Sequence, residues 1–210
     1  MKIWQIVIFA GLILALIACS QSTDEEIYYE IQEMLNTINS YQCIAKIKII
    51  CQEGETEYIF QQSYKAPNKY RLEVLSPQAL EGNLTLYNGK TAWFKNPSIN
   101  QIWKIDNFHQ SQEQLMFLGY FLKNYISSKE SNFETESLGS ENYIIFETSI
   151  PGGNHYFDKQ KLWVNKKNRL PEKLYIYDES GRVGFKVYYE NFIYNLDMEE
   201  EFFYLLDKEL

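Results

Sequence analysis

Asn88-Gly89-Lys90-Thr91-Ala92-Trp93-Phe94-Lys95-Asn96-Pro97 is the stretch whose reading decides the fold. Asn-Gly between apolar segments is the strongest short hairpin signal, because both residues tolerate the positive φ of a tight turn. It joins a strand over 84–87 to one over 90–94, and Asn96-Pro97 turns the chain again toward a strand over 101–105. Strands joined this tightly run antiparallel. The same punctuation extends in both directions. Upstream, Glu53-Gly54-Glu55-Thr56 and Pro67-Asn68 separate strands over 41–52, 57–65 and 70–75. Downstream, turns at Gly139, Pro151-Gly152-Gly153, Asn168, Leu170-Pro171 and Gly181 separate strands over 133–138, 143–150, 156–165, 172–177 and 182–192. That makes about eleven strands without βαβ alternation.

Two segments change the period from 2 to 3.6. Ile27, Tyr28, Ile31, Met34, Leu35 and Ile38 repeat at helical spacing, so a helix over 25–39 is expected, with Asp24 as its N-cap. Ser111-Gln112-Glu113-Gln114 reads as a capping box opening a second helix over 115–126. Leu115, Met116, Phe117, Leu118, Tyr120, Phe121 and Leu122 make that helix apolar almost all round. Such a helix must be covered on all sides. The expected class is α+β: one large curved antiparallel sheet, an incomplete barrel, with helices on its concave face.

Composition fits this reading. The chain of 210 residues is 45% hydrophobic and 23% charged, which excludes a disordered tail and a multi-span membrane protein. Aromatics reach 16%, with 17 Tyr against 13 Phe, and tyrosine suits half-buried sheet surfaces. The net charge of −8 gives no basic footprint for phosphates, which argues against a nucleic-acid partner.

The N-terminus reads as an address and an anchor. The apolar run over 6–18 is too short for an ordinary membrane-spanning helix and right for a signal-peptide core. It ends Leu16-Ile17-Ala18-Cys19, a lipobox pattern. The expectation is a signal peptide over 1–18, a diacylglyceryl group on Cys19, a polar tether to residue 23, and one domain over 24–210. Two acyl chains anchor stably, on the outer side of the cytoplasmic membrane. The other cysteines, Cys43 and Cys51, lie eight residues apart on one expected strand, roughly 26 Å. On that strand reading the two are too far apart for a disulfide. They are free or paired with another chain, and free buried thiols are expected.

The chain carries little that resembles catalytic machinery. His109 and His155 have no partner at metal-ligand spacing, and no metal or cofactor motif occurs. Glu147 and Asp158 are able to face each other across a hairpin, but carboxylates on neighbouring strands usually form a solvated face. The expectation is a protein that is not an enzyme. The concave aromatic surface makes either a filled core or an apolar groove for an acyl chain. Candidate lining residues are Tyr58, Phe60, Trp93, Trp103, Phe117, Phe121 and Trp163.

Residues 88–97 also resemble the hairpin of LolA-type lipoprotein carriers, where a Gly-Lys-Thr turn precedes an aromatic strand and Asn-Pro. Tyr64-Lys65-Ala66-Pro67-Asn68, Leu162-Trp163-Val164-Asn165 and Leu170-Pro171 resemble flanking parts of that family. The resemblance implies a LolA/LolB-like incomplete barrel with helices plugging its mouth. Two stretches are similar to the germination lipoprotein GerS group of spore-forming Gram-positive bacteria. They run from Tyr64 through Asn68-Lys69-Tyr70-Arg71-Leu72-Glu73-Val74, and over Met116-Phe117-Leu118-Gly119-Tyr120-Phe121-Leu122. That likeness implies a non-catalytic, membrane-anchored protein of the forespore or spore envelope. It would support cortex peptidoglycan modification through an N-acetylmuramoyl-L-alanine amidase partner. Carriers latch their lid with an arginine before the Pro-Asn pair. Here Ala66 stands there, and the nearest arginine is Arg71.

Overall fold

The computed structural model describes residues 22–52, 54–108, 112–127 and 133–205. Residues 1–18, Cys19, His109 and Ser111 lie outside them, and so do the expectations placed there.

The chain opens with α1 (Asp24–Thr37) and continues through β1 (Ser40–Cys51), β2 (Gly54–Lys65), β3 (Lys69–Ser76), β4 (Leu84–Tyr87), β5 (Ala92–Asn96) and β6 (Gln101–Ile105). A 3-10 turn (Gln112–Met116) leads into α2 (Leu118–Ser127). Then come β7 (Phe133–Leu138), β8 (Glu141–Asn154), β9 (Phe157–Asn165), β10 (Pro171–Tyr177) and β11 (Val183–Tyr194). All eleven strands form one open sheet in the order β6-β5-β4-β3-β2-β1-β11-β10-β9-β8-β7. Every pairing is antiparallel. Joining β1 to β11 places the two halves of the chain side by side, so the sheet's middle is its longest-range contact. The α+β class with an unclosed antiparallel sheet is as expected.

Curvature follows from where side chains meet. β2 and β9 stand four strands apart, about 19 Å in a flat sheet. Yet Gln62 of β2 and Tyr189 of β11 donate to the Met116 carbonyl at 3.4 and 3.1 Å, and Gln160 of β9 donates to Leu115 at 2.6 Å. Three strands therefore converge on two adjacent carbonyls, so the sheet wraps the turn before α2. Tyr41 of β1 completes the clamp: its hydroxyl accepts from Leu118 N at 3.0 Å and donates to Gln62 Oε1 at 2.8 Å. Burial pushes the Tyr41 and Tyr189 hydroxyls well above the ordinary tyrosine range, so both stay neutral donors. Unmet, each buried polar group would cost about 1–3 kcal/mol.

That clamp explains why α2 is shorter than its apolar run. The backbone N–H groups of Tyr120 and Phe121 both bond to Phe117 O. The carbonyls of Leu115 and Met116 are taken by sheet side chains instead, so 112–116 stays a 3-10 turn rather than the helix expected from residue 115. Leu118, Gly119, Phe121, Leu122 and Tyr125 are buried on α2, while Ile126 is exposed. At Gly119 the helix packs against the ring of Tyr64 with no room for a Cβ.

α1 covers the other end of the concave face. Its capping residue is Thr23 rather than Asp24: Thr23 Oγ1 accepts from Glu26 N, and the Glu26 carboxylate accepts from Thr23 N. Thr-x-x-Glu satisfies two otherwise orphaned donors, which Asp24 does not. Tyr28, Ile31 and Leu35 are buried. Tyr28 stacks on Phe133 and Phe146, and its hydroxyl meets that of Tyr125 at 2.8 Å. The two helices are thus tied to each other and to β7–β8.

The outer face is not bare. Leu84, Leu86 and Trp93 pack under the C-terminal residues Tyr204 and Leu205. Lys65 donates to Met198 O at 2.5 Å, Lys65 and Lys69 both pair with Glu200, and Arg71 lies 5.0 Å over the Phe202 ring. Arg71 therefore sits on the outer face and does not stand in for a lid latch. The 88–91 connection is a four-residue loop, not a two-residue turn, because Tyr87 pairs with Ala92. Asn88 Oδ1 accepts from Lys90 N and Thr91 N and closes it from within.

Candidate functional site

A cleft of about 390 Å³ opens on the concave side, between the β1–β6 strands and the turn before α2. Its walls include Ile47, Ile49, Tyr58, Phe60, Leu72 and Met116. Residues i and i+2 of a strand share a face. Hence Ile47 and Ile49 of β1, and Tyr58 and Phe60 of β2, reach the same space from neighbouring strands. The Tyr58 and Phe60 rings lie 6.2 Å apart, stacked. Trp103 of edge strand β6 forms the rim and is 46% exposed.

The cleft is not wholly apolar. Glu113 and Asn83 line it, and Glu113 Oε2 and Asn83 Oδ1 have no hydrogen-bond partner among the described residues. Burial pushes the Glu113 carboxyl above the ordinary carboxylate range. A carboxyl poised this way accepts or donates a hydrogen bond according to its protonation.

Of the seven candidate residues, Tyr58, Phe60 and Trp103 come together here. The other four are elsewhere. Phe117 and Phe121 are fully buried and fill the core beneath the helix. Trp93 lies on the outer face, among Leu84, Leu86 and Leu205. Adjacent strand residues point to opposite faces, so Phe94 of the same strand reaches the cleft and Trp93 cannot. Trp163 also faces outward, with Tyr143, Ile145 and Tyr175, and its indole donates to Glu136 at 2.6 Å. Glu113 was missed by sequence reasoning. Its signal was a carboxylate beside an apolar run, but nothing local says which strands surround it.

Among the described residues no catalytic cluster accompanies the cleft. Glu147 pairs with Lys159 and Lys161 rather than facing Asp158, because the β8–β9 register sets Glu147 opposite Lys161. His155 is exposed and its Nδ1 lies 2.5 Å from Glu179. Among the described residues no group of three or more His, Cys, Asp or Glu is placed to hold a metal ion. No helix among them is long and apolar enough to cross a membrane. Cys43 and Cys51 are both free. Cys43 is buried as expected, whereas Cys51 is exposed, because the β1–β2 hairpin extends past the core.

The sheet's open edges are β6 and β7. Beside β6, Ile99, Trp103 and Ile105 are 56%, 46% and 45% exposed. An edge carrying unpaired backbone groups and apolar side chains is a template for another chain.

Three comparisons place this architecture among known proteins. The family model described as sporulation protein YdcC-like matches residues 1–203. The sporulation protein YdcC of Bacillus subtilis is 22% identical over 201 residues, covering 94% of this chain and 59% of that protein. The chain thus spans under two thirds of that relative's length. The structure of the CwlD amidase from Clostridioides difficile in complex with the GerS lipoprotein contains a 34% identical chain, GerS. It aligns at TM-score 0.51 over 85% of this chain and 100% of that one. A LolA superfamily protein from Nitrosomonas europaea aligns at TM-score 0.44 and 19% identity, over 88% of this chain and 99% of that one. The likeness to the germination lipoprotein that the sequence carries is borne out, and the chain belongs to the sporulation protein YdcC-like family.

Proposed function

We propose that this chain is a non-catalytic, membrane-anchored protein of the spore envelope that binds a cell-wall amidase. The observation that carries the reading is the 34% identity to GerS, spanning the whole of that chain, in a structure where GerS is in complex with the CwlD amidase. The exposed β6 edge supplies a surface of the required kind, since strand addition uses the unpaired backbone for affinity and flanking side chains for specificity. Trp103 and Ile105 are those side chains. Cys19, acylated, would hold the complex at the membrane surface, and the short tether before α1 keeps the domain close to it. The mechanism is positional: the protein contributes a surface and a location, and the partner contributes the chemistry.

The test is a chromosomal deletion in the spore-forming host, read by muropeptide analysis of the cortex. Loss of muramic-δ-lactam, restored by the wild-type gene and not by Cys19→Ala, is the expected result. Normal lactam in the deletion strain overturns the reading.

A second reading has its own observation. The cleft lined by Tyr58, Phe60 and Trp103 is large and apolar enough to take part of an acyl chain. Native mass spectrometry of the purified protein is expected to show a co-purifying lipid if this is its task. A lipid-free spectrum, unchanged after incubation with a lipoprotein, would sink it.

A further inference from the structure

A second, larger cleft lies on the other side of α2. It occupies about 530 Å³ between the polar side of that helix and the β8–β9 hairpin. Its lining differs in kind from the first. Asn68, Gln112, Gln114, Asn124 and Asn154 bring five carboxamides to it. The chain has 28 acidic residues, yet none is among the described residues that line this cleft, and Lys123 is the one charged residue among them. Gln114 is 3% exposed, and its Nε2 has no hydrogen-bond partner among the described residues. A buried donor left unpaired is expensive, and folded proteins rarely leave one. Beside it, Leu115, Ile150 and Phe157 form an apolar wall.

These features specify a ligand. A buried N–H donor next to an apolar wall fits an acetamido group, whose carbonyl accepts the bond and whose methyl meets the wall. Carboxamides both donate and accept, so they pair with the neighbouring hydroxyls of a pyranose ring. Tyr120 also lines the cleft, and an aromatic ring there suits the C–H side of a sugar. The lack of acids among the described lining residues, together with Lys123, favours a carboxylate-bearing sugar over a neutral one. We infer that this cleft binds an acidic, N-acetylated oligosaccharide, with Gln114 and the Leu115–Ile150–Phe157 wall receiving the acetamido group and Lys123 the carboxylate. This inference is independent of the amidase reading, since the two use different surfaces.

The experiment is saturation-transfer NMR and calorimetry on the full-length protein in detergent micelles. The probes are a tetrasaccharide of alternating N-acetylglucosamine and N-acetylmuramic acid, chitotetraose, cellotetraose and an L-alanyl stem peptide. The acidic tetrasaccharide should bind at least tenfold tighter than chitotetraose, with cellotetraose and the peptide silent. Lys123→Ala, at an exposed position, should remove that tenfold margin. Gln114→Leu should weaken both N-acetylated probes. Ser127→Trp, on the exposed rim, should block them without touching the core should the Gln114 variant not fold. No saccharide binding at millimolar concentration overturns the inference. Equal binding of cellotetraose and chitotetraose overturns it too, as does binding of the peptide alone. Binding that persists in a protein unable to hold an amidase would separate this inference from the proposed function.

Discussion

Gly119→Ala should destabilise the protein by driving a methyl group into the ring of Tyr64. An ideal Cβ at position 119 would lie 2.1 Å from Tyr64 Cζ and 2.3 and 2.5 Å from its Cε atoms. Ordinary carbon contacts begin near 3.5 Å, so the ring must retreat by roughly 1.5 Å. It has nowhere to go. Tyr64 is 4% exposed, stacks on Tyr41 at 5.6 Å, meets Tyr120 edge-on at 6.0 Å and donates to Pro67 O at 2.7 Å. Overpacking of a rigid site costs about 1–3 kcal/mol, and losing the hydroxyl's bond adds about 1 kcal/mol. The gain in helix propensity returns at most about 1 kcal/mol. The net is about 2 kcal/mol, or roughly 4–8 °C in Tm for a domain of this size. The assay is thermal and urea denaturation of the two proteins side by side. Gly184→Ala is the control, because no atom lies within 4 Å of its Cβ position. It should stay within about 0.5 kcal/mol. Tyr64→Leu should partly rescue Gly119→Ala, with a coupling of about 2 kcal/mol. A Gly119→Ala variant as stable as wild type would refute the close seating of α2 on β2.

Three further outcomes follow from the same geometry. Glu113→Gln should raise the urea midpoint at pH 7.5 and leave it nearly unchanged at pH 4. The folded carboxyl titrates above its ordinary value, so wild type loses stability as pH rises through that range while the unfolded chain ionises freely. An equal shift at both pH values would contradict the burial of this group. Gln62→Leu should cost about 2–3 kcal/mol in urea denaturation, because it leaves the buried Tyr41 hydroxyl without its acceptor and removes a donor to Met116 O; a neutral result would mean that the clamp does not hold the turn before α2. In a Cys19→Ser background, one thiol should react with a disulfide reagent at pH 8 and the second only after unfolding. Cys51 is exposed, while burial pushes the Cys43 thiol far above its ordinary range. Two equally fast thiols would contradict the packing of β1.

The parts legible in the sequence are those with local causes. Turn residues and period-2 runs located all eleven strands to within a few residues, and apolar periodicity located both helices. The boundaries that moved did so for reasons lying elsewhere in the chain. α2 begins at Leu118 because side chains from β2, β9 and β11 occupy the carbonyls that a longer helix would use. Of the candidate cleft, Tyr58, Phe60 and Trp103 were legible and Glu113, Phe94 and Met116 were not.

Sequence alone determined that this chain makes an antiparallel sheet too large to lie flat and a helix too apolar to lie outside it. Periodicity is a local property, and it survives without knowledge of neighbours. Only the tertiary structure decided which of two adjacent aromatics, Trp93 or Phe94, faces the cleft. It also decided that Gln62 and Gln160, polar residues on otherwise ordinary strands, are fully buried and bind the turn before α2 to the sheet. A strand's alternation says that its two faces differ, not which one is inside. That choice is made by the elements packed against it, here a helix more than fifty residues away from Gln62 in the chain.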